Sequence, residues 1–139
     1  MAPIVRIPSE GDQDRRWIIK QVLERGAMGI IVPQVDNAEQ AAKVVQAMRY
    51  PQRKGGPPPY PEPAGRRGMA GAPRTWGLSV DEYLKVADLW PLNPNGELIA
   101  MPMIESVEGI SNVGAILDVP GVGGVLRADR PHRPQHGPR

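Results

Sequence analysis

A chain of 139 residues with 17 prolines, 16 glycines and no phenylalanine can hold one packed domain, but it must give part of its length to loops. The absence of cysteine excludes disulfides, thiolate nucleophiles and Cys-ligated zinc. No apolar run approaches membrane-spanning length, so no membrane partner and a cytoplasmic location are expected. The formal net charge of +2 belongs to the last residues, because four arginines and one aspartate fall between Arg127 and Arg139. With no stacking aromatics among them, nucleic acid is disfavoured as a partner.

Pro3 to Pro8 (PIVRIP) is a β-branched run bounded by prolines and predicts a short strand. From Asp14 to Arg25, Trp17, Ile18, Val22 and Leu23 recur at helical spacing, and Gly26 supplies a C-terminal cap. Gly29 to Pro33 (GIIVP) predicts a second strand. Asp36 stands three residues before Glu39 in a capping-box arrangement, and a helix follows with Ala38, Ala41, Ala42, Val45 and Met48 on one face, ending near Tyr50. Strand and helix alternating twice indicates βα units and a parallel sheet.

Residues 51–65 (PQRKGGPPPYPEPAG) break this rhythm and read as a Pro/Gly-rich loop. Gly65-Arg66-Arg67-Gly68 at its exit places two guanidinium groups between glycines. Such a group can receive a carboxylate or phosphate, although two loop arginines are more often simply solvated. Ser79 and Glu82 form a second capping box ahead of Val80, Tyr83, Leu84 and Ala87.

Leu98 to Glu108 (LIAMPMIESVE) predicts a fully buried strand whose apolar run stops at Glu105. A carboxylate there is equally well read as a functional group at a strand's C-terminal end or as the acid that opens the next helix. A broken helical pattern runs through Val107, Ile110, Val113 and Leu117, and Pro120-Gly121 turns into a last strand predicted over Val122 to Leu126. Asp129 lies just beyond it. Glu105 and Asp129 thus follow two consecutive strands. Neighbouring strands lie about 4.8 Å apart, so the two carboxylates can converge on a hard divalent cation, Mg²⁺ or Mn²⁺. His132 and His136 share a helical interval, but the prolines around them argue against a metal pair. The expected organisation is one α/β domain over residues 1–126 and a basic, disordered tail over 127–139.

The ordered string VRIP, GAMGIIVPQVDNAEQAAKVVQAMRYP, GRRGMAG and MPMIESVEGISNVGAILDVPGVGGV resembles the metal-dependent class II pyruvate aldolases of the HpcH/HpaI (2,4-dihydroxyhept-2-ene-1,7-dioate aldolase) family, over Ile4 to about Leu126. The resemblance implies the (β/α)₈ TIM barrel of the phosphoenolpyruvate/pyruvate superfamily, of which this chain would form a part, about the third to sixth βα units. It also implies an aldehyde-lyase that cleaves a small-molecule 4-hydroxy-2-keto acid to pyruvate and an aldehyde through a metal-bound enolate, in a homo-oligomer. The metal-binding Glu of the family falls on Glu105 and the enolate-stabilising Arg on Arg67, with Gly68 beside it at the keto acid. Asp129 is the nearest counterpart of the second metal-binding carboxylate. The implied cofactor is Mg²⁺ or Mn²⁺, with Co²⁺ as a further choice.

Three departures accompany the likeness. The family's substrate-contacting strand-end Gln is Met103 here, the G-P-A-D motif is reduced to Arg127-Ala128-Asp129, and no histidine matches the family's early acid–base His. The Pro-rich loop looks like the insertion of macrophomate-synthase-like relatives, which makes oxaloacetate decarboxylation a runner-up. The chain is also shorter than a closed barrel, so a truncated, non-catalytic relative is the other alternative.

Overall fold

A computed structural model describes residues 1–8, 14–51 and 64–128. The chain runs β1 (Ile4–Arg6), α1 (Arg16–Glu24), β2 (Gly29–Val32), α2 (Ala38–Met48), α3 (Ala72–Trp76), α4 (Val80–Val86), β3 (Ile99–Ile104), α5 (Val107–Ser111), α6 (Val113–Leu117) and β4 (Leu126–Arg127). The four strands form one sheet in the order β1-β2-β3-β4, every pair parallel, as the alternation of strand and helix requires. Curled with its helices outside, this is part of a (β/α)₈ barrel, as expected.

The register explains how the two faces differ. Ile4, Gly29 and Ile99 lie level across three strands. A Cβ on Gly29 would come within 2.8 Å of Ile99 and 3.0 Å of Ile4, so the missing side chain is what lets the two isoleucines meet on the concave face. The opposite face carries Ile30, Val32, Leu98, Ala100 and Ile104, all buried with Val44, Val45 and Met48 of α2 and Ile19 and Leu23 of α1. Burying each large aliphatic side chain contributes about 1.5–3 kcal/mol.

Along β3, burial alternates between half-buried and buried, which corrects the expectation of a fully buried strand. Pro102 and Ile104 pack beneath the helices, while Met101 and Met103 face the concave side, where the open sheet covers them only partly.

Several local expectations hold. Gly26 adopts φ +98° and closes α1. Ser79 and Glu82 make both bonds of their capping box. The helical pattern after Glu105 breaks at Asn112, between α5 and α6.

Others move. The cap of α2 is Asn37, whose side chain accepts from the Gln40 N–H, because Asp36 bonds with Ser106 instead. Helix α3 was not foreseen; its residues sit between Gly71 and a left-handed Gly77. The last strand shrinks to Leu126–Arg127, with Val122 making only a bridge to Ala100. Gly123 and Gly124 bring no side chains to pack there, and a Cβ on Gly123 would strike Ile99 at 2.5 Å. Among the described residues no helix is long and apolar enough to cross a membrane.

Candidate functional site

Side chains alternate along β3, so Met101, Met103 and the residue just past the strand, Glu105, fall on its concave side. The strand ends here because Ser106 turns the chain into α5, its hydroxyl accepting from the Gly109 N–H. Glu105 does not act as that helix's capping residue. Its Oε2 accepts the backbone N–H of Gln34, at 3.2 Å, from the turn that follows β2.

That turn, Pro33 to Asp36, is held from several directions. Val35 N–H donates to the Met103 carbonyl at 3.2 Å. The Ser106 hydroxyl donates to Asp36 Oδ1, and Asn112 Nδ2 donates to the Asp36 carbonyl at 2.8 Å. Arg15, just ahead of α1, donates to the Pro33 carbonyl. The strand-end carboxylate is therefore built into a network that joins three consecutive βα units at the face where parallel α/β folds place their chemistry.

Arg67 lies at the other end of α2. Its N–H donates to the carbonyl of Arg49, the residue that closes that helix, at 2.8 Å. Since α2 spans eleven residues, its two ends are separated by about 16 Å. The structure accordingly does not bring Arg67 and Glu105 together.

The Arg67 guanidinium is buried. Nη2 donates to Glu24 Oε1 at 3.0 Å and to the Tyr83 hydroxyl at 2.8 Å, and the group lies 4.5 Å from the Tyr50 ring centroid. Nε and Nη1 have no hydrogen-bond partner among the described residues. Glu24 also accepts from the N–H groups of Ala70 and Ala72, at 3.1 and 2.9 Å, and so anchors the whole segment. Burial pushes the Tyr50 phenol well above its ordinary value, which keeps it protonated beside the guanidinium.

The two arginines are thus separated in role, with Arg66 exposed and Arg67 inside. The glycine that the close approach requires is Gly65, where a Cβ would lie 2.0 Å from the Tyr50 carbonyl. At the exposed Gly68 a Cβ would meet only the flexible end of Lys20, at 3.4 Å.

Among the described residues no three His, Asp or Glu side chains gather as a metal cluster. Asp129, with His132 and His136, lies outside the described residues. A groove of about 710 Å³ between α1 and α2 is lined by residues that include Asp14, Arg16, Gln34, Glu39 and Lys43. Four of its charged residues form two pairs, Arg16 with Asp14 at 2.7 Å and Lys43 with Glu39 at 2.8 Å. The Asp14 and Glu39 carboxyls are each held below the ordinary range by hydrogen bonds to those partners. Met103, Glu105 and Arg67 do not line this groove.

Sequence reasoning missed Gln34, Glu24 and Tyr83 in these networks. Of the three, Gln34 carried a local signal: it interrupts an apolar run directly after Pro33, where a strand must end.

Comparison with known proteins places these features. The family model described as HpcH/HpaI aldolase/citrate lyase matches residues 1–129. A 2-keto-3-deoxy-L-rhamnonate aldolase of Klebsiella pneumoniae is 41% identical over 127 residues, covering 89% of this chain and 39% of the relative. A hydroxypyruvate/pyruvate aldolase of Roseobacter denitrificans is 38% identical over 126 residues, covering 89% of this chain and 41% of the relative. Among solved structures, an HpcH/HpaI aldolase/citrate lyase family protein from Burkholderia cenocepacia J2315 superposes with a TM-score of 0.67 at 27% identity, covering 90% of this chain and 42% of that one. Macrophomate synthase superposes at 0.57 and 28% identity, covering 91% of this chain and 38% of that one. The chain spans about two-fifths of the length of the relatives it matches.

Proposed function

The chain belongs to the HpcH/HpaI aldolase/citrate lyase family, and on that footing we propose that it carries part of a divalent-metal-dependent lyase site that releases pyruvate and an aldehyde from a 4-hydroxy-2-keto acid. The observation that carries the reading is the position of Glu105, at the C-terminal end of β3 on the concave side, bonded to the turn after the neighbouring strand.

The donor chemistry fits the implied cation. Carboxylate oxygens are hard ligands, and Mg²⁺ is usually held by one or two carboxylates together with waters and substrate oxygens. Glu105 and Asp129 would hold it. Bound there, the cation would supply Lewis-acid polarisation of the 2-keto oxygen.

In retro-aldol cleavage the C4 hydroxyl proton passes to solvent water as C3–C4 breaks to give the aldehyde, and the C2–C3 enolate left behind takes a proton from water at C3 to become pyruvate. The Met103 side chain offers bound keto acid an apolar surface on the concave side next to Glu105. The role of Arg67 in this reaction rests on the family pattern and not on proximity to Glu105. Two of its buried donors have no partner among the described residues, which leaves hydrogen-bonding capacity of the kind that a carboxylate or enolate oxygen uses.

One observation favours a second reading, a non-catalytic relative: α2 separates Arg67 from Glu105 along its whole length. The assay that decides is pyruvate release from a 4-hydroxy-2-keto acid in the presence of Mg²⁺ or Mn²⁺. Metal-dependent release that disappears in Glu105→Ala supports the lyase. Folded protein that releases no pyruvate with any divalent metal refutes it. Oxaloacetate, decarboxylated through the same enolate, is the comparison substrate for the macrophomate-synthase-like variant.

A further inference from the structure

The turn after β2 carries a strained residue that the family likeness does not account for. Gln34 adopts φ +54° and is the only non-glycine residue among the described ones in the left-handed region. Such a conformation persists only where the surroundings over-determine it.

Here they do so through β3. In an extended strand successive N–H groups point to opposite sides; a left-handed residue between them turns both to the same side. The N–H groups of Gln34 and Val35 both point at β3. The first donates to Glu105 Oε2 at 3.2 Å and the second to the Met103 carbonyl at 3.2 Å. The turn is hitched to β3 on both sides of Ile104, once through main chain and once through a side chain. Behind it, Arg15 holds the Pro33 carbonyl, so the turn cannot roll away from the strand without losing that bond as well.

We propose that Gln34 is a positioning residue for Glu105: its left-handed turn aims a backbone N–H at Oε2 and so fixes how the carboxylate presents its oxygens to a hard divalent cation. The inference rests on the reading of Glu105 as a cation ligand. It assigns Gln34 an effect that comes from its backbone conformation, independent of its carboxamide.

The substitutions follow from φ. Gln34→Gly and Gln34→Asn keep the N–H and accept a left-handed conformation, whereas the β-branched side chain of Gln34→Val opposes it. Mn²⁺ alone is the probe, with binding to the full chain followed through the electron paramagnetic resonance of the free ion and folding checked by far-UV circular dichroism. The expected result is binding within about twofold of the parent for Gly and Asn and about tenfold weaker for Val, the size of effect typical of groups that orient a ligand.

Glu105→Ala distinguishes the role of Glu105 as a cation ligand from the positioning role of Gln34. If it binds Mn²⁺ as the parent does, the cation-ligand reading fails and the positioning role falls with it. If it loses binding while folded Gln34→Val binds within twofold of the parent, only the positioning role is overturned. Should Gln34→Val not fold, the ¹⁵N–¹H spectrum of the unmodified chain decides. A Gln34 amide resonance that shifts and saturates together with Mg²⁺ binding sustains the proposal, and one that stays fixed while others move overturns it.

Discussion

Arg49 and Asp88 form a bidentate ion pair in the interior, Nε to Oδ1 at 2.7 Å and Nη2 to Oδ2 at 3.1 Å, with the arginine fully buried. The pair joins the end of α2 to the approach to β3, and Asp88 Oδ1 also accepts the Leu89 N–H at 2.8 Å. It therefore bridges the loop segment whose course the sequence leaves undefined. Removing Asp88 takes the bidentate carboxylate away from a fully buried guanidinium. Asp88→Ala should destabilise the protein by about 3–5 kcal/mol, read from urea denaturation; a loss no larger than that of an exposed control substitution would show that Arg49 does not depend on Asp88.

Glu24 organises the 66–72 segment through one charged side chain and two backbone donors. Glu24→Ala leaves the buried Arg67 without its counterion and should cost about 3 kcal/mol or more. Tyr83→Phe removes the hydroxyl that accepts from the Arg67 guanidinium and should cost less, about 1.5–3 kcal/mol. Chemical denaturation of both variants tests the ranking, and the reverse order would mean that the phenol, not the carboxylate, holds the arginine.

At the start of α4 the Glu82 carboxylate accepts the Ser79 N–H at 2.8 Å, and this bond holds its pKa below the ordinary value of 4.5. A group lowered on folding adds stability above its unfolded pKa and loses it as the pH falls through the folded one. The contribution should therefore be complete at neutral pH and fade below about pH 4.5. Urea midpoints of the parent and Glu82→Gln should differ at pH 7 and converge at low pH; a difference that persists in acid would rule out the carboxylate as its source. Ser79→Ala should lower stability by about 1 kcal/mol.

Met103 sits half-buried on the concave side next to Glu105, where the family's polar strand-end residue would stand. Met103→Gln would restore a donor to bound keto acid. If the concave side holds substrate, pyruvate should bind about fivefold more tightly in the presence of Mg²⁺, the worth of one hydrogen bond. Ligand-observed NMR measures this. Unchanged or weaker pyruvate binding would place the substrate elsewhere.

The strands and helices around the Pro-rich segment were legible because apolar periodicity and local punctuation agree. GIIVP reads as a strand, Gly26 as a helix stop and Ser79 with Glu82 as a helix start, each decided by neighbours within a few residues. Helix α3 was not legible, since APRTW has no apolar repeat and forms between two flanking glycines. The cap of α2 shifted to Asn37 because Asp36 is engaged by Ser106, 70 positions away, a competition that no local pattern records.

By itself the sequence determined the alternation of strand and helix, the parallel sheet, the family likeness and the placement of Glu105 just past a strand. These follow from short-range spacing and from the order of motifs. Only the tertiary structure decided that Glu105 is bonded to Gln34, that Gln34 is left-handed where its N–H meets that carboxylate, and that Arg67 turns inward to Glu24 and Tyr83 at the far end of α2. The physical reason is that hydrogen-bond partners are chosen by the packing of α1, α2 and β3 against one another, and that packing joins residues far apart in the chain.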